Sequence, residues 1–436
     1  MSGHGIAQIV SASDHGVAVC AASARISTRE GTALEILDRS HGDEKDVNLI
    51  GKVLASGHRT PLEHHVFSVA FENVSVRTEQ FVIEHRLGSY TVKSRRYVDF
   101  ANAGFYVPSD LAAPLSGLYS ESVRRLFDIY SRLTCLGIPR EDARFVLPYC
   151  FYSNFYATMN ARELVHLTSA MLFGRGRFNA ELVHLGEQLK SQIESIYPGV
   201  VDAEKELYRD AEPIPDACSE ICAPHEVHGS AALLFEPADA KGILESAFPS
   251  ATIDRDFLFR LVHSDRPRAL ELLNYVFRIE NISLACVTHF ARHRMQSSLF
   301  PPVQNALRGG GYIVPDTVRS NEEAYELYLE AFTGHYQSVA ICIDAGIPDD
   351  DLGYLALAGN TVSYPMAVNG RELMHFMRLR ACNRAQWEIR SVAAQMLQEL
   401  RGRFPDLFCY FGPSCAMTGR CPEGRLTCGK PYPYIS

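Results

Sequence analysis

The chain has 436 residues, of which 47% are hydrophobic, and its formal net charge is -9. A chain of this length and composition is expected to bury sizeable cores and to form two or three domains. Its acidity argues against a nucleic-acid polymer as a partner, because such binders carry a basic field over a whole face. No apolar run reaches transmembrane length and the first residues lack the features of a secretory leader, so a cytoplasmic protein without a membrane partner is expected. The twelve cysteines are then reduced thiols or metal ligands.

In chain order, the predicted elements form two similar series. Each series opens with a half-buried strand whose apolar residues alternate. The alternating residues are Phe67, Val69 and Phe71 in the first series and Tyr275, Phe277 and Ile279 in the second. Each series continues through a basic motif to a set of late helices. These helices are predicted near residues 118–136, 140–147 and 160–194, and again near 321–345, 349–358 and 369–403.

Short motifs of the first series recur in the second at an almost constant spacing. They are His85-Arg86-x-x-Ser89 with His293-Arg294-x-x-Ser297, Tyr106-Val107-Pro108 with Ile313-Val314-Pro315, Gly137-Ile138-Pro139 with Gly346-Ile347-Pro348, and Asn160-x-Arg162-Glu163-Leu164-x-His166 with Asn369-x-Arg371-Glu372-Leu373-x-His375. The alternative is two unrelated domains that share common helical patterns, but chance matches would not keep one spacing. The sequence therefore predicts two homologous units in tandem.

The order of these elements predicts an α+β fold in which long helices pack on a mixed or antiparallel sheet. A stretch rich in proline, glycine and acidic residues, 198–250, separates the two units. Within it, Pro213-Ile214-Pro215 is expected to form a stiff connector. The domains are accordingly predicted as residues 1–215 and 216–436, the second with a cysteine-rich C-terminal tail.

Basic side chains at two places in the second unit suit an electron-rich or anionic ligand. Arg292-His293-Arg294 follows an apolar run, 284–290, although a basic cluster there could equally be a solvated helix cap. Arg380 falls on the apolar face of a helix that begins at Asn369, so it is expected to point inward and to need a partner. A uracil oxygen would serve, and the alternative is an internal ion pair with a carboxylate such as Glu388.

The motifs together resemble those of flavin-dependent thymidylate synthase over most of both units. The resemblance is carried by Gly57-His58-Arg59-Thr60-Pro61-Leu62-Glu63-His64, by His85-Arg86-x-x-Ser89 through Ser94-x-Arg96-Tyr97, by 137–148, and by Leu379-Arg380 through Arg390. It implies a flavoenzyme that binds FAD and reductively methylates dUMP, with methylenetetrahydrofolate and NADPH as cosubstrates. Members of this family are homotetramers of units of about this size, so two tandem chains are expected to form a homodimer that mimics the tetramer.

Neither unit carries the family signature Arg-His-Arg-x-x-Ser-x-Asn-Glu-x-Ser-x-Arg-Tyr whole, and the losses are complementary. The first unit has Glu84 at the leading arginine but keeps Ser94 and Arg96, whereas the second keeps Arg292 and loses the later positions. The first unit also keeps Arg144 where the second has Gly353. Conversely, the second unit keeps Arg380 where the first has Met171.

By this resemblance, each unit supplies half of a nucleotide site. The first supplies a phosphate half-site, which consists of Ser94, Arg96 and Arg144; the two arginines can form a fork on a phosphate, although surface ion pairs are the alternative. The second supplies a flavin/pyrimidine half-site, in which His289, Arg292 and Arg380 bind the substrate and the two arginines are catalytic. The flavin contacts implied are Ser27, His58, Thr60 and Glu63 of the first unit, and His293, Arg294, Asn369 and Arg371 of the second.

Two departures from the family leave alternatives open. The Asn-Glu step is replaced by Thr91-Val92 and by Leu299-Phe300, and the glutamine before the leading arginine is His289. The substrate could therefore be another uracil nucleotide, or the chain could be a catalytically silent flavin or nucleotide binder. No metal is assigned; Cys409, Cys415, Cys421 and Cys428 are the candidates for a zinc knuckle, and Cys218, Cys222, His225 and His228 form a second cluster.

Overall fold

A computed structural model describes residues 5–208 and 221–435 of the chain. The chain folds into two compact units. The first contains residues 1–219 together with Glu326–Ala356, and the second contains Glu220–Tyr325 and Leu357–Ser436. The predicted boundary near residue 215, like Cys218, lies outside the described residues.

The first unit is built on a four-stranded antiparallel sheet with strand order β1-β2-β4-β3. Its strands are β1 (Ile6–Ala12), β2 (Val66–Ser75), β3 (Ser89–Val92) and β4 (Tyr152–Asn160). Phe67, Val69 and Phe71 of β2 are fully buried, as their alternation predicts. Phe71 lies opposite Phe155 of β4, and their rings stack at a centroid distance of 4.7 Å.

The first repeat also contains helices, some of which pack on the buried face of this sheet. They are α1 (Gly16–Ile26), α2 (Ala33–Asp38), α3 (Glu44–Ala55), α4 (Val76–Ile83), α5 (Ala113–Cys135), α6 (Arg140–Ala143), α7 (Ala161–Leu172) and α8 (Ala180–Glu194). The core joins the inward residues of β2 and β4 to the apolar faces of α7 and α8, including Leu164, Met171 and Leu185. Short 3-10 turns occur at Thr60–His64, Arg144–Val146 and Asp202–Tyr208.

The second unit repeats this plan. Its strands are β5 (His225–Glu226), β6 (Ser230–Phe235), β7 (Asn274–Ser283), β8 (Gln296–Ser298), β9 (Gly311–Tyr312) and β10 (Thr361–Asn369), and its four-stranded antiparallel sheet has the order β6-β7-β10-β8. Its helices are α9 (Ala240–Ala247), α10 (Arg255–His263), α11 (Leu284–Phe290), α12 (Val303–Gly309), α13 (Asp316–Arg319), α16 (Gly370–Arg380), α17 (Trp387–Arg403), α18 (Pro405–Phe408) and α19 (Ser414–Thr418). Tyr275, Phe277 and Ile279 are buried, again as predicted.

The two copies agree residue by residue. Strands β2 and β7 have the same length and start 208 residues apart, and β4 and β10 start 209 residues apart. Asn73 and Asn281, at matching positions, both adopt a positive φ, 48° and 51°. The predicted α+β fold with an antiparallel sheet is therefore confirmed.

The late helices differ from the prediction in two respects. The helices predicted near 140–147 and 349–358 are shorter, Arg140–Ala143 and Asp349–Leu352, and a 3-10 turn follows each of them. The helices predicted as continuous over 160–194 and 369–403 are each two helices. Residues Gly174 and Gly176 follow α7 at a place where a Cβ would lie about 3 Å from the backbone of Ala170 and Met171. Asn179 then starts α8 by accepting a hydrogen bond from the Leu182 N–H at 2.9 Å, and Gln386 caps α17 in the same way. These breaks arise from close packing and capping.

A segment from the second sequence repeat groups with the first unit. Most of α14 (Glu322–Asp344) and all of α15 (Asp349–Leu352) belong to it. His335 of α14 lies 3.0 Å from the Ser122 hydroxyl of α5 and 2.6 Å from the Leu355 carbonyl oxygen. The backbone N–H of Tyr149 donates to the Ala356 carbonyl at 2.8 Å. The first unit is thus completed by a segment from later in the chain.

Among the described residues, no helix is both long and apolar enough to cross a membrane.

Candidate active site

The residues predicted to form the phosphate half-site lie on two turns of the first unit. Ser94 and Arg96 follow β3 in a turn closed by hydrogen bonds from the Tyr97 and Val98 N–H groups to the Ser94 carbonyl, at 3.4 and 3.0 Å. Arg144 begins the 3-10 turn that follows α6. Helix α6 starts after the Gly-Ile-Pro turn, which therefore fixes where Arg144 enters the fold.

Glu141 connects the two predicted arginines. Its carboxylate forms an ion pair with the Arg96 Nε atom, and a second contact to Nη2 measures 3.4 Å. Its backbone carbonyl accepts a hydrogen bond from Arg144 Nε at 3.0 Å. Arg96 is partly exposed, and in the ligand-free structure it forms an ion pair, which was the alternative to phosphate binding.

Arg144 is different because it is buried. Its side chain is nearly inaccessible, and its Nη2 atom has no hydrogen-bond partner among the described residues. Burial, together with the positive charges of Arg95 and Arg96, lowers the pKa of Arg144 to about 10. A buried guanidinium with an unsatisfied donor favours an anionic ligand, because an anion would supply both the countercharge and the acceptor.

Arg95, between the two signature residues, was not singled out by its sequence. It is buried and forms an ion pair with Glu79 of α4 at 2.9 Å. Glu79 also accepts a hydrogen bond from the Ser153 hydroxyl at 2.5 Å. A comparison of the two copies could have revealed Arg95, because the matching position of the second unit holds Val303.

The residues predicted for the substrate side of the flavin/pyrimidine half-site lie at the ends of α11 and α16 of the second unit. Asn369 caps α16 by accepting from the Glu372 N–H at 2.9 Å, and Leu373, Phe376 and Met377 form its buried face, as predicted. Arg380 is the last residue of this helix and is half-buried.

The Arg380 guanidinium contacts the segment that carries the basic cluster. Its Nε donates to His293 Nε2 at 3.0 Å, and its Nη2 donates to the carbonyl oxygen of His289 at 3.1 Å. Glu388, the alternative partner considered for Arg380, accepts hydrogen bonds from the Ser283 N–H and hydroxyl at 2.7 and 2.5 Å. Three of the predicted residues, His289, His293 and Arg380, are therefore brought together.

His293 is held as one neutral tautomer. Because its Nε2 accepts from Arg380, its proton resides on Nδ1, which lies 2.8 Å from Glu372 Oε1. Burial lowers the pKa of His293; the Glu372 carboxylate opposes this shift, whereas the Arg380 charge adds to it. A neutral His293 keeps its acceptor nitrogen on Arg380 and thereby fixes the orientation of the guanidinium.

The other basic residues of the cluster are exposed. Arg292 and Arg294 flank the buried His293 just after α11. Their exposure agrees with either interpretation of the cluster, a helix cap or one side of an open ligand site.

The residues nominated for flavin occur in both units. Glu63 pairs with Arg162 at 2.5 Å, and Arg371 pairs with Glu271 at 2.5 Å, so the same ion pair occurs in each copy. His58 and Thr60 are exposed beside Glu63, and Ser27 is exposed at the end of α1.

A cavity of about 650 Å³ lies in the first unit next to these residues. Its lining includes Glu63, Arg162, Asn160 and His166, and an ion pair between Arg59 and Glu204 borders it. A cavity of this size, with polar groups on apolar walls, is typical of a small-molecule site.

One group of side chains among the described residues could offer ligands to a metal ion. His293, Glu372 and His375 offer ligand atoms within 4.8 Å of one another. Both nitrogens of His293 already have partners, however, and the adjacent Arg380 charge opposes a cation. The four candidate cysteines of the tail are free thiols and do not belong to this group.

The positions lost from each copy have local substitutes. Glu84, at the leading arginine of the first unit, pairs with Arg175 at 2.6 Å, and Met171 is fully buried in the core. Gly353 stands where the first copy has Arg144, and a Cβ there would lie 2.7 Å from the Arg77 side chain. The residues at these positions are thus accommodated by their local contacts.

Comparison with known proteins identifies the relatives of the chain. A flavin-dependent thymidylate synthase of Geobacter sulfurreducens is 35% identical over 177 residues, which cover 40% of this chain and 76% of the relative. One of Clostridium tetani is 29% identical over 225 residues, or 48% and 89% of the two chains. A crystal structure of the UMP/dUMP methylase PolB from Streptomyces cacaoi, bound with 5-Br dUMP, is 26% identical over 47% of this chain and 96% of that chain, with a TM-score of 0.39.

The model of the family described as thymidylate synthase complementing protein matches the chain twice, over residues 8–199 and 219–406. Two successive matches confirm the tandem duplication and make the alternative of unrelated domains wrong. The chain therefore belongs to this family, as an enzyme that contains two divergent copies of the family's unit.

Proposed function

We propose that the chain is a flavin-dependent enzyme that methylates C5 of a uracil nucleotide, converting dUMP to dTMP with methylenetetrahydrofolate and NADPH. The observation that carries the proposal is the buried Arg144 guanidinium, whose Nη2 lacks a partner among the described residues. Its position beside Arg96 in the copy that retains the signature serine and arginine favours a phosphate ester as its ligand.

The phosphate half-site binds and orients the substrate. A phosphate would give Arg144 Nη2 its missing acceptor and would compete with Glu141 for the Arg96 guanidinium. Because Arg144 is fixed at Nε by the Glu141 carbonyl, its remaining donors are held in place before the ligand arrives. Such preorganisation lowers the entropy lost on binding.

The flavin/pyrimidine half-site acts on the ring. The positive charge of Arg380 would stabilise negative charge that develops on the uracil when C5 reacts. Neutral His293 holds Arg380 Nε, and Glu372 keeps His293 in the tautomer that can do so. Arg292, exposed at the same place, adds positive charge next to the substrate.

The residues present fit a flavin. The cavity of the first unit is large enough for part of it, and Arg162 and Asn160 there are counterparts of Arg371 and Asn369. When bound and reduced by NADPH, FAD supplies the hydride for the methylation. Ser27, His58, Thr60, Glu63, His293 and Arg294 complete the proposed flavin contacts.

A second candidate function is C5 modification of a different uracil nucleotide. It is favoured by β3, where Thr91 and Val92 replace the family's Asn-Glu step directly before the phosphate half-site. A silent flavin or nucleotide binder is the third possibility. We further propose that the two domains divide near residue 215, that the chain forms a homodimer, and that it is located in the cytoplasm.

The deciding experiment measures tritium release from C5-labelled dUMP and UMP. The purified chain is expected to be yellow, to be bleached by NADPH, and to release tritium from one of the two nucleotides. If flavin is bound and reduced but neither nucleotide loses its label, the methylation proposal is wrong. Release from UMP alone would establish the second candidate.

A mixing experiment tests whether both half-sites serve one nucleotide. Chains carrying Arg96→Ala and chains carrying Arg380→Ala are each expected to be inactive. Activity restored on mixing indicates that the half-sites cooperate between chains, and lasting inactivity of the mixture indicates cooperation within one chain. Full activity of both single variants would contradict the assignment of the two arginines.

A further inference from the structure

The Arg95–Glu79 ion pair is a buried polar element beside the phosphate half-site. The two side chains are 8% and 1% exposed, and Arg95 Nη2 lies 2.9 Å from Glu79 Oε1. The Ser153 hydroxyl of β4 donates a hydrogen bond to the other carboxylate oxygen at 2.5 Å. The pair therefore joins α4, β4 and the turn that carries Ser94 and Arg96.

The second copy has two valines at the same positions. Glu79 corresponds to Val287 of α11 and Arg95 to Val303 of α12, each 208 residues later. The backbone supports this alignment, because the Tyr97 N–H donates to the Ser94 carbonyl as the Asn305 N–H donates to that of Pro302. Both valines are buried. The same fold thus accepts either an ion pair or an apolar pair here.

Stability alone does not explain the ion pair. Replacing a buried ion pair by apolar residues of similar size is often neutral or stabilising, because the charges no longer have to be desolvated. The valines of the second copy show which apolar residues the family's unit tolerates at these positions. The charged pair occurs in the copy that retains the phosphate half-site, so its function should be sought there.

The positive end of the pair acts on Arg144. After burial itself, the charge of Arg95 has the largest influence in lowering the pKa of Arg144. Glu79, the partner of Arg95, is not among the charges with the largest influence on that pKa, so at Arg144 the positive end of the pair outweighs the negative end. Arg144 is also the residue whose Nη2 has no partner among the described residues.

We propose that Arg95, held in place by Glu79, is a positioning residue that makes the phosphate half-site selective for a dianionic phosphate monoester. The inference rests on the proposed function, since it requires a phosphate at Arg144. Arg95 acts through Arg144. Because Arg95 adds positive charge beside Arg144, a dianionic ligand neutralises the site better than a monoanionic one. Glu79 prevents Arg95 from turning away from the site.

The test is the double variant Glu79→Val with Arg95→Val, which installs the pair found in the second copy. The full chain is titrated calorimetrically with deoxyuridine, with dUMP and with the methyl ester of dUMP, which carries one negative charge. Relative to the wild type, the preference for dUMP over its methyl ester is expected to fall about tenfold, whereas deoxyuridine binding stays unchanged. The kcat at saturating dUMP should change less than KM.

Two controls accompany this variant. Arg125→Ala with Glu330→Ala removes an exposed ion pair from the same unit without changing the net charge, and should leave the preference intact. Arg95→Lys keeps the charge and should retain most of the preference, which provides a second measurement if the double variant unfolds at a lower temperature.

The outcomes separate the two levels of inference. An unchanged preference for dUMP over its methyl ester in the double variant overturns the role of Arg95, as does a parallel loss of deoxyuridine binding. If the wild-type chain binds dUMP no better than deoxyuridine, the phosphate half-site itself is wrong and the proposed function fails with it.

Discussion

The two copies of the signature region share a backbone and differ in the chemistry they carry. Strand β2 and helix α4 of the first copy align in sequence with β7 and α11 of the second. The first copy buries Arg144 and the Arg95–Glu79 pair. The second instead carries the network of Arg380, His293 and Glu372. The two copies of the duplicated unit thus bury different charged groups.

Buried interactions found in both copies identify what the fold requires. Glu181 accepts hydrogen bonds from the Ser75 N–H and hydroxyl at 2.7 and 2.6 Å, and Glu388 binds Ser283 in the same way. In each copy the serine also caps the helix that follows the second strand of the sheet. A buried carboxylate kept in both copies is therefore structural, whereas a buried charge kept in one copy is a candidate for function.

The largest expected effect comes from Arg380, which has no charged counterpart in the first copy. Arg380→Ala removes the charge proposed to stabilise the reacting uracil, and loss of one such preorganised donor lowers kcat by roughly 100- to 1000-fold. Tritium release from the C5-labelled nucleotide measures it. Arg403→Ala, an exposed arginine of the same unit, should retain wild-type activity. Activity of Arg380→Ala within twofold of wild type would assign Arg380 to packing.

The second effect comes from Arg144, which Gly353 replaces in the other copy. Arg144→Met keeps most of the side-chain volume and removes the buried charge, so the chain should fold. Loss of charge-assisted hydrogen bonds should raise KM for the nucleotide roughly 10- to 100-fold. Arg132→Ala, at an exposed position of α5 in the same unit, is the matched control. Equal KM values for the two variants would show that the phosphate binds elsewhere.

The sequence predicted well what depends on periodicity and repetition. The alternating strands, the buried face of α16 and the tandem duplication all follow from local patterns or from constant spacing. The contact between Arg380 and His293 was not predicted in detail, but both residues were selected by resemblance. Arg380 ends a helix with a clear apolar face, so its position was accessible from the sequence, whereas His293 lies in the turn after α11, whose residues are all buried.

Features that depend on tertiary partners were missed. Glu79 and Arg95 are separated by 16 positions and no local pattern pairs them, so only folding reveals their contact. The break after α7 depends on how closely Gly174 approaches Ala170. The grouping of 326–356 with the first unit was also missed, because periodicity defines an amphipathic face without specifying the surface that it covers.

The exposed ion pairs that occur in both copies should differ in their effect on flavin binding. Arg162→Ala and Arg371→Ala each break an exposed pair, so each should lower the free energy of unfolding by at most about 1 kcal/mol. Because Arg162 lines the cavity, its variant should lose roughly tenfold in flavin affinity, more than Arg371→Ala. Flavin retained after gel filtration measures this. Greater loss from Arg371→Ala would assign the flavin chiefly to the second copy.

The smallest expected effect concerns His335 of α14. The matching position in α5 holds Leu126, and both residues are buried. Burial lowers the pKa of His335 to about 4, so the folded chain keeps this imidazole neutral while the unfolded chain takes up a proton below about pH 6.5. The contribution of neutral His335 to the free energy of unfolding is therefore fully present above pH 6.5 and is lost as the pH falls toward 4. At pH 5.5 the loss amounts to about 1.4 kcal/mol.

His335→Leu places the residue of the first copy in the second and should remove this pH dependence. The measurement is the free energy of unfolding in urea at pH 7.5 and 5.5 for both chains. Taking the difference between the chains cancels groups that titrate in both, including Asp351, whose pKa burial raises to about 7. The variant loses the hydrogen bonds of His335 to Leu355 and Ser122, so it should be less stable at pH 7.5. Its disadvantage should shrink at pH 5.5, and an equal disadvantage at both pH values would show that His335 is protonated in the folded chain.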